Sequence, residues 1–565
     1  MGIPQTVTNC LVTTCQAYQQ THPETSFRVL TSEPETLWHK LDHLLYLPCL
    51  NLTRPRDLYY DQGDGLQVLY GFTYKYLTLE HFLGQLTRLA IGRPLTDRLG
   101  FCYSQRWYPG DGPLFIFSDW HVKPHWTKHD AHSGHITMWG RVMPGTKQLL
   151  INGPEGHLLL GRNYPVDTHL SRVLIQLESE LATQLSRPIA YNIFDSEGSG
   201  QPIAHGYAKV ERDYISVLPR RGNQSRLSFV VQGEWYPVAG DADHEAVDAC
   251  WADARKAAEE PRRLVLMRPV GDIDPTRIYA GRIPAHLPAA EVPAVYRQRW
   301  QFQERRIREL VNGANLNVNF GYTYDVVENR TRKRRFEEAQ AKVEMTQVRL
   351  AEQEEAIANL WAQLKQLKQT YYQQRAARQA GIEAQQVALA ARRQAGKRTR
   401  RCEKSLTLRH RQLSVLTVRF QQRRRRRIER LLRHRQKRRD LRQQLVERES
   451  IRDAIDTPTL CRERHLEKDQ IMLCLQVLLL NLHDWALKHY FSPEWSHLEL
   501  ETAMRLIYRK PGRVTGSADQ IDVVLDGYRY VDHQQAMAAI CQRFNAANLR
   551  WRDGRLLHIQ VAEGS

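Results

Sequence analysis

The sequence has few cysteines, and their positions predict neither a disulfide framework nor a thiolate metal site. Nine cysteines are scattered over 565 residues, with an odd total and no CxxC pair. No apolar run approaches the roughly eighteen residues of a membrane span, and the N-terminal MGIPQTVTNC lacks a basic segment followed by an apolar one. HExxH, the P-loop and GxGxxG are absent, which argues against a metalloprotease, a nucleotide-driven motor and a dinucleotide-dependent oxidoreductase. We expect a cytoplasmic protein that does not span a membrane.

The net charge of +19 comes from one segment of the chain. Residues 330–450 contain 34 Lys and Arg against 12 Asp and Glu, a net charge of +22, whereas the rest contains 47 against 50, a net charge of −3. A concentrated positive field attracts polyanions and releases their condensed counterions. The segment therefore predicts binding to nucleic acid, with an anionic membrane surface as the lesser alternative.

The basic segment is expected to form an antiparallel hairpin of two long helices. Over about residues 335–380, two apolar seams have the heptad spacing of a coiled coil: Leu350, Ile357 and Leu364, then Leu360 and Leu367. A second helix is predicted over about residues 403–448. Gly381 and Gly396 lie between the two helices and are expected to break them.

The second helix of this hairpin contains a run of five consecutive cations: Arg423, Arg424, Arg425, Arg426 and Arg427. A charge run is often only a solvated helix face. These five residues cover every face of a helix, however, and no acidic partners lie nearby in the sequence. We therefore favour contact with DNA phosphates, which gives affinity but no choice of sequence.

The region before the hairpin has alternating short strands and helices. LFIFSD at 114–119, HITMWGRVM at 135–143 and KQLLING at 147–153 predict three strands. An amphipathic helix is predicted over 166–185, and PIAYNIFD at 188–195 predicts another buried strand. Two of these strands end in an acid, Asp119 and Asp195, and a later helix that begins near Pro293 carries Glu304.

Three acids in this arrangement are what a two-metal phosphodiester site requires. Two Mg²⁺ ions about 4 Å apart need hard oxygen ligands, with one carboxylate bridging them. The candidates are Asp119, Asp195 and Glu304. Each also has a plain interpretation, because acids favour the turns that follow strands and helices commonly carry exposed Glu.

The sequence around these acids resembles that of a known protein family. The strings are FIFSDWHVKPHW around Asp119, YNIFDSEGSG around Asp195 and YRQRWQFQERRIREL around Glu304. Over about residues 35–560 the chain resembles bacterial insertion-sequence transposases of the DDE type, in the branch with the YREK signature. Tyr296 and Arg299 match the Tyr and Arg of that signature. The resemblance implies a ribonuclease-H-like core whose three acids are catalytic and hold two Mg²⁺ or Mn²⁺ ions.

The match departs from the family pattern at the third acid. The family places three residues between its Arg and Glu, which from Arg299 leads to Gln303, and Glu304 follows one position later. In an α-helix, Glu304 is turned roughly 80° from the face of Tyr296, so that a modest rotation or a π-bulge is needed to aim it at the site. The family's Lys is also missing, and the nearest cation to its position is Arg308. Tyr296, Arg299 and Arg308 are expected to contact DNA phosphates.

Five histidines after Asp119 offer a rival interpretation as a zinc site. They fall within fifteen residues: His121, His125, His129, His132 and His135. On a helix the first four would share one face, but Pro124 would break such a helix early. Transposases of this type have a DxH string after the first Asp, and Asp119 with His121 matches it.

Together these features predict four regions and one leading function. They are a mostly helical region at 1–105 with a possible role in DNA-end recognition, an α/β ribonuclease-H-like core at 106–330 with a β-rich insertion at about 210–285, a basic coiled-coil hairpin at 331–450, and a helical and α+β region at 451–565. The predicted function is DNA transposition, with metal-dependent strand cleavage and transfer. The expected partners are double-stranded DNA, as transposon ends and target, and a second copy of the chain, with association with the nucleoid. The alternative is a non-catalytic, DNA- or RNA-binding coiled-coil protein descended from a transposase.

Overall fold

The computed structural model describes residues 13, 20, 34–59, 65–72, 74–219, 229–252, 262–321, 323–455 and 460–563. The chain divides into two compact units. The first contains residues 1–327 and 461–565, and the second contains residues 328–460. The region predicted at 1–105 therefore has most of its first 33 residues outside the described part.

Within the described residues, four α-helices precede the sheet of the first unit: α1 (Pro34–Cys49), α2 (Gly65–Tyr70), α3 (Tyr76–Arg88) and α4 (Gly92–Trp107). The pattern in α3 explains why this stretch is helical. Leu79, Phe82, Leu83 and Leu86 are buried and lie three, four and seven positions apart, which places them on one face. This face packs into the main hydrophobic core of the unit.

A ten-stranded mixed sheet forms the centre of the first unit. Its strands are β1 (Leu114–Pro124), β2 (Ser133–Ile136), β3 (Arg141–Asn152), β4 (Leu158–Pro165), β5 (Ile189–Phe194), β6 (Asp213–Val217), β7 (Phe229–Val238), β8 (Asp241–Trp251), β9 (Arg263–Pro269) and β10 (Arg277–Gly281). Their order is β2-β3-β1-β5-β6-β10-β9-β8-β7, and β4 pairs with β3. β1, β5 and β6 are mutually parallel, whereas β3 is antiparallel to both β1 and β4. The chain is thus mixed α/β, as predicted.

The boundaries predicted for two of the strands, at 135–143 and 147–153, are wrong. HITMWGRVM contains β2, a short 3-10 turn at Thr137–Trp139 and the start of β3, whereas KQLLIN continues β3. The missing partner is β4, whose sequence LLLGRNYP follows a turn at Gly156. β3 stays in one piece because it pairs on one side with β1 and on the other with β2 and then β4.

Helices follow the strands and cover the sheet: α5 (Leu170–Leu185), α6 (Gln201–Lys209), α7 (Val292–Arg299) and α8 (Arg305–Gly313). A π-helical turn at Trp300–Glu304 joins α7 to α8. The buried residues of α5 follow helical spacing: Leu170, Leu174, Leu177, Leu181 and Leu185. β11 (Tyr324–Glu328) and β12 (Leu460–Arg464) pair as a two-stranded sheet. In the sequence they stand at the start and the end of the segment that forms the second unit.

The second unit contains the two predicted long helices, α9 (Arg330–Gln394) and α10 (Arg400–Asp453). They are antiparallel, since Leu431 packs on Ile357 and Leu360 while Arg393 pairs with Glu403 near the turn. The prediction that Gly381 breaks the first helix is wrong. α9 runs through Gly381, since a glycine in a helix interior costs only about 1 kcal/mol relative to alanine. The turn is at Gly396, where φ is +66°.

The C-terminal part of the first unit supplies a core helix and a small α+β structure. α11 (Glu467–Ala486) is followed by α12 (Leu500–Ala503), and β13 (Gly512–Gly516), β14 (Gln520–Leu525), α13 (Val531–Ala546) and β15 (Leu556–Val561) complete the chain. The described residues include one helix, Glu467–Phe491, that is long and apolar enough to cross a membrane, judged by length and composition alone. Because 78% of its apolar window is buried within the protein, it has the character of a core helix.

A buried ion network ties β1 to α11. The Lys123 ammonium lies 3.0 Å from the Asp469 carboxylate, and the Arg464 guanidinium lies 2.8 Å from the same group. The backbone N–H of Phe320 also donates to Asp469 at 3.0 Å. Burial alone would raise the pKa of Asp469, but the two cations outweigh burial and lower it. Its stabilisation is therefore present above the ordinary Asp pKa of 3.8 and is lost as pH falls through the lower pKa of the folded state.

We expect Asp469→Asn to lower the stability of the protein by about 3–5 kcal/mol, because Lys123 would stay buried without its counter-ion. The measurement is the urea midpoint of unfolding at pH 7. The matched control is Asp553→Asn, which removes the pair between the exposed Asp553 and the partly buried Arg555 and should change stability by less than about 1 kcal/mol. Equal midpoints for the two variants would show that the buried network is not stabilising.

Candidate active site

Asp119 and Asp195 lie side by side on neighbouring parallel strands. The register pairs Phe117 with Ile193 and Ser118 with Phe194, so the two acids are the next pair along. Asp195 keeps an extended backbone, with φ −70° and ψ 174°, and so continues the line of β5. Strands in a sheet are about 4.8 Å apart. Both acids were predicted at strand ends. They are neighbours and Asp195 follows the end of β5, but Asp119 lies inside β1, which continues to Pro124.

Glu304 reaches the same place through the π-helical turn. The backbone N–H of Arg305 donates to the carbonyl of Trp300, five residues earlier, which is a π-type bond. The extra residue in this turn rotates the following side chains relative to an α-helix. Gln303 is thereby fully buried and donates from Nε2 to the carbonyl of Leu150 at 3.0 Å. Glu304 instead remains partly exposed, on the side of the acids.

Arg299 connects two of the three acids. Its Nη1 donates to Oδ2 of Asp119 at 2.7 Å, and its Nη2 donates to Oε1 of Glu304. Because one guanidinium holds both carboxylates, the two bonded oxygens lie within about 8 Å of each other. The Arg299 side chain is only 10% exposed, so this bridge is part of the packed structure. The sequence analysis assigned Arg299 to DNA phosphates and did not foresee that it clamps these carboxylates.

The clustering of acids disturbs their protonation. Burial raises the pKa of Asp119 to about 6, and the negative charges of Asp195 and Glu304 add to this rise against the opposing effect of Arg299. Burial also raises the pKa of Glu304, with Arg299 again opposing and Asp195 adding to the rise. The negative charge of Asp195 thus raises the pKa of both Asp119 and Glu304. The three acids form one electrostatic unit, and a single cation does not fully offset their charge.

The predicted two-ion ligand set is not assembled around this unit. Among the described residues, no group of three or more His, Cys, Asp and Glu side chains is arranged to hold a metal ion. The reason lies in Arg299, which stands between Asp119 and Glu304. The donor types nevertheless suit Mg²⁺ or Mn²⁺, since all three are carboxylates. Burial is the main cause of the raised pKa of Asp119, and Asp195 and Glu304 add to it.

A cavity of about 680 Å³ opens onto two of these acids, Asp195 and Glu304. Its lining includes Asp195, Glu304 and Arg299, together with cations that the sequence analysis did not single out, Arg277 and Arg297. Arg277 comes from the β-rich insertion, so only the folded chain brings it here. Arg297 lies two positions before Arg299 and pairs with Asp241. An acidic floor with basic walls suits an anionic, phosphate-bearing chain.

The remaining signature residues lie on different surfaces. Tyr296 is buried, with its ring 5.3 Å from that of Tyr279, and burial raises its pKa. It lines the cavity, but most of its surface packs in the core. Arg308 is exposed on α8. Val311, at the position of the family's Lys, packs against the main core.

The helical zinc arrangement of the five histidines is wrong, because these residues lie on β1, on β2 and in the loop between them. The ring of His121 is buried and bonds Asn317 at 2.7 Å, and burial lowers its pKa to about 4. His125 bonds Thr146 at 2.8 Å, and burial lowers its pKa to about 3. Pro124 ends β1. Both histidines are structural hydrogen-bonding groups.

The arginine run lies in α10 of the second unit. Arg423, Arg424, Arg425 and Arg426 are exposed, and Arg427 is half-buried. The expectation of no acidic partner is wrong for Arg425, which pairs with Glu429 one turn away at 3.0 Å. Arg427 donates to the carbonyl of Gln363 on α9 at 2.9 Å. The run therefore both contacts the partner helix and presents charge to solvent.

No protein-family model matches the sequence, and no curated protein matches it. Among solved structures, the chain is similar to a piggyBac transposase in a synaptic complex with hairpin DNA, determined by cryo-electron microscopy. The TM-score is 0.28 and the identity 10%, over 50% of this chain and 61% of that one. The chain thus spans about three fifths of the length of that transposase. A likeness at this level leaves the function to the geometry of Asp119, Asp195 and Glu304.

Proposed function

We propose that the protein is a DDE-type DNA transposase that cleaves phosphodiester bonds and transfers DNA strands. The observation that carries the proposal is the convergence of Asp119, Asp195 and Glu304, with Glu304 rather than Gln303 turned to the site. A third carboxylate in this position is what separates a two-metal phosphodiester site from a pair of turn-forming acids. The cavity beside them is lined by cations that suit a phosphate backbone.

The topology around the acids supports this proposal. The strand order β4-β3-β1-β5-β6, with only β3 antiparallel to its neighbours, is the order of a ribonuclease-H-like core. On this basis β7 to β10 form the β-rich insertion, which extends the same sheet before the chain returns through α7 with the third acid. Acids on adjacent central strands, one inside β1 and one directly after β5, are an arrangement that such a core provides.

Asp119, Asp195 and Glu304 are the residues that would hold divalent cations. When bound there, two such ions would lower the pKa of an attacking water and neutralise the leaving 3′ oxygen. Arg299 positions two of the acids, and its planar guanidinium can also pair with two phosphate oxygens. The cations of the cavity walls would orient the DNA backbone for in-line attack.

The first test is strand cleavage. The purified chain should nick a supercoiled plasmid that carries its coding sequence and flanking DNA, in Mg²⁺ or Mn²⁺ but not in EDTA. A transposase must cut and join two ends, so we propose that two copies act together, in the cytoplasm at the nucleoid. Absence of cleavage in both metals, with DNA binding intact, would leave the second candidate function.

That second candidate is a non-catalytic DNA-binding protein with a coiled-coil hairpin. The observation that favours it is the absence, within the described residues, of a ready metal-binding cluster. In this case Arg299 would neutralise the acids permanently. The two functions differ in metal binding, because a catalytic site should bind Mn²⁺ in a calorimetric titration and lose that binding when Asp195 is replaced by Asn.

In both functions the arginine run should bind duplex phosphates. Arg423, Arg424 and Arg426 are exposed, and each phosphate contact contributes about 0.9 to the slope of log K against log salt. We therefore expect the triple change of these residues to Gln to reduce that slope by about 2 to 3. The measurement is fluorescence anisotropy with a labelled duplex between 50 and 300 mM salt.

The matched control removes the same charge elsewhere. Arg505, Arg513 and Arg529 are exposed residues of the C-terminal part, and changing all three to Gln should leave the slope nearly unaltered. A slope that falls equally in both triple variants would show that net charge, rather than the arginine run, drives DNA binding.

A further inference from the structure

A second cavity in the first unit lies well away from the three acids. It has a volume of about 270 Å³, and His125 and Trp126, which directly follow β1, form one wall. β1 extends five residues beyond Asp119 before it ends at Pro124. With a rise of about 3.3 Å per residue, this places the cavity roughly 17–20 Å from Asp119 along the strand.

The rim of this cavity is built from aromatic rings and guanidinium groups. Trp126 is 68% exposed, and its ring lies 5.6 Å from that of Trp139. The guanidinium of Arg141 sits 5.2 Å from the Trp126 ring. Across the cavity, the Arg462 guanidinium lies 4.0 Å over the Tyr324 ring. Large exposed aromatic rings beside cations are the groups on which unpaired nucleobases stack.

The floor of the cavity is polar and held in place by hydrogen bonds. Thr146 is fully buried, and its hydroxyl lies 2.8 Å from Nε2 of His125. Nη1 of Arg464 lies 2.9 Å from the same nitrogen. Glu463 also lines the cavity, with its carboxylate 3.9 Å from Nε2 of the buried His132. A carboxylate at this point accepts hydrogen bonds and repels a phosphate.

We propose that this cavity receives one unpaired nucleobase of a DNA strand, preferably a base with an exocyclic amino group. Trp126 would supply the stacking surface, and Glu463 would accept from the amino group, as a carboxylate does from N4 of cytosine. The phosphates would stay outside, near the exposed cations Lys128 and Arg141. The inference rests on the proposed function, since it takes DNA as the partner.

Such a site would fix the register of a strand relative to the acids. Unstacking one base costs free energy, which stacking on the aromatic rim of the pocket offsets. With the base held about 17–20 Å from Asp119, the strand cannot slide without losing this contact. The pocket would therefore choose which phosphodiester bond lies at the three acids.

The test compares oligonucleotides with equal charge and different bases. Labelled 12-nucleotide strands of dC, of dT and of abasic sites are titrated with the full chain at fixed salt. Trp126→Ala should weaken binding to the dC strand roughly tenfold and leave the abasic strand unchanged. Trp126→Phe keeps a stacking ring and should stay within about twofold of the wild type. Tyr530→Ala, an exposed aromatic residue outside the cavity, should have no effect.

A second variant tests the choice of base. The wild type should bind the dC strand several-fold more tightly than the dT strand, and Glu463→Gln should reduce this preference to near one. Equal losses on the dC and abasic strands in Trp126→Ala would overturn the inference, because the effect would not involve a base. Normal binding of all strands by Trp126→Ala would overturn it as well, and would leave the proposed function standing. Failure of the wild type to bind duplex or single strands would instead count against the proposed function.

Discussion

Asp119→Asn is expected to abolish metal-dependent strand cleavage, with a loss of at least about a thousandfold in rate. Asp119 is the acid that neighbours both of the others, through the strand register with Asp195 and through Arg299 with Glu304. An amide of the same shape removes the negative charge that a divalent cation needs. The measurement is the initial rate of plasmid nicking in Mn²⁺ under single-turnover conditions.

The same variant should keep both its fold and its affinity for DNA. Burial raises the pKa of Asp119 to about 6, which lies above the ordinary value of 3.8 in the unfolded chain. The folded metal-free protein thus binds the extra proton, and this residue's contribution to stability falls as pH rises from about 4 to 6. Asn removes that dependence. At pH 7 without metal, Asp119→Asn should be at least as stable as the wild type, and its duplex affinity should be unchanged.

Two other results would contradict the assignment of Asp119. Preserved cleavage in Asp119→Asn would remove this residue from the chemistry. A variant that unfolds at lower temperature than the wild type at pH 7 would show that the pair with Arg299 stabilises the fold more than the clustered negative charge destabilises it. Asp213→Asn is the matched control, because it removes a largely exposed pair with Arg282 on the same sheet and should affect neither measurement.

The sequence was sufficient to predict the pair of acids on the sheet, because the signal is local. LFIFSD and YNIFD are short buried runs that each end in an acid, and parallel neighbouring strands place their ends together. The heptad seam was equally local, since Ile357, Leu360 and Leu364 face Leu431 across the hairpin. In these cases the period of the apolar residues alone fixes which side chains meet.

The details that failed depend on contacts between distant segments. KQLLIN joins the preceding residues in one strand because β2 and β4 share the same side of β3, and no local period reveals that. Gly381 was expected to break the first helix, but the packing of α9 against α10 outweighs the small helix penalty of one glycine. The second cavity joins Trp126 to Arg462, which are more than three hundred positions apart in the chain.

The orientation of the third acid, Glu304, could be predicted only in part. The spacing from Arg299 predicted that either a modest rotation or a π-bulge was needed, and the structure has a π-helical turn at Trp300–Glu304. The position of Gln303 was not predictable, since it depends on a hydrogen bond to the carbonyl of Leu150. Leu150 is the register partner of Asp119 on β3. One backbone site thus fixes both where Gln303 is buried and which way Glu304 points.

Glu304→Gln is expected to reduce cleavage at least about a hundredfold, whereas Gln303→Met should keep most of the activity. The adjacent residues have opposite environments, since Glu304 bonds Arg299 at the cavity and Gln303 is buried beneath it. Losing the carboxylate removes a charge from the proposed metal site. Methionine fills the volume of Gln303 and removes one hydrogen bond, which should lower stability by only about 1 kcal/mol. Both rates are measured in Mn²⁺ with the nicking assay, after thermal unfolding confirms that each variant is folded at the assay temperature.

The two variants separate three mechanisms. Loss of cleavage in Glu304→Gln alone identifies Glu304 as the third acid and the π-helical turn as the feature that presents it. Loss in Gln303→Met alone would place the chemistry on the family's expected position, which requires the turn to relax to an α-helix when DNA binds. Loss in neither, with Asp119→Asn inactive, would leave two acids and Arg299 to do the chemistry. In that case Arg299 replaces part of the charge that a third carboxylate and its cation otherwise provide.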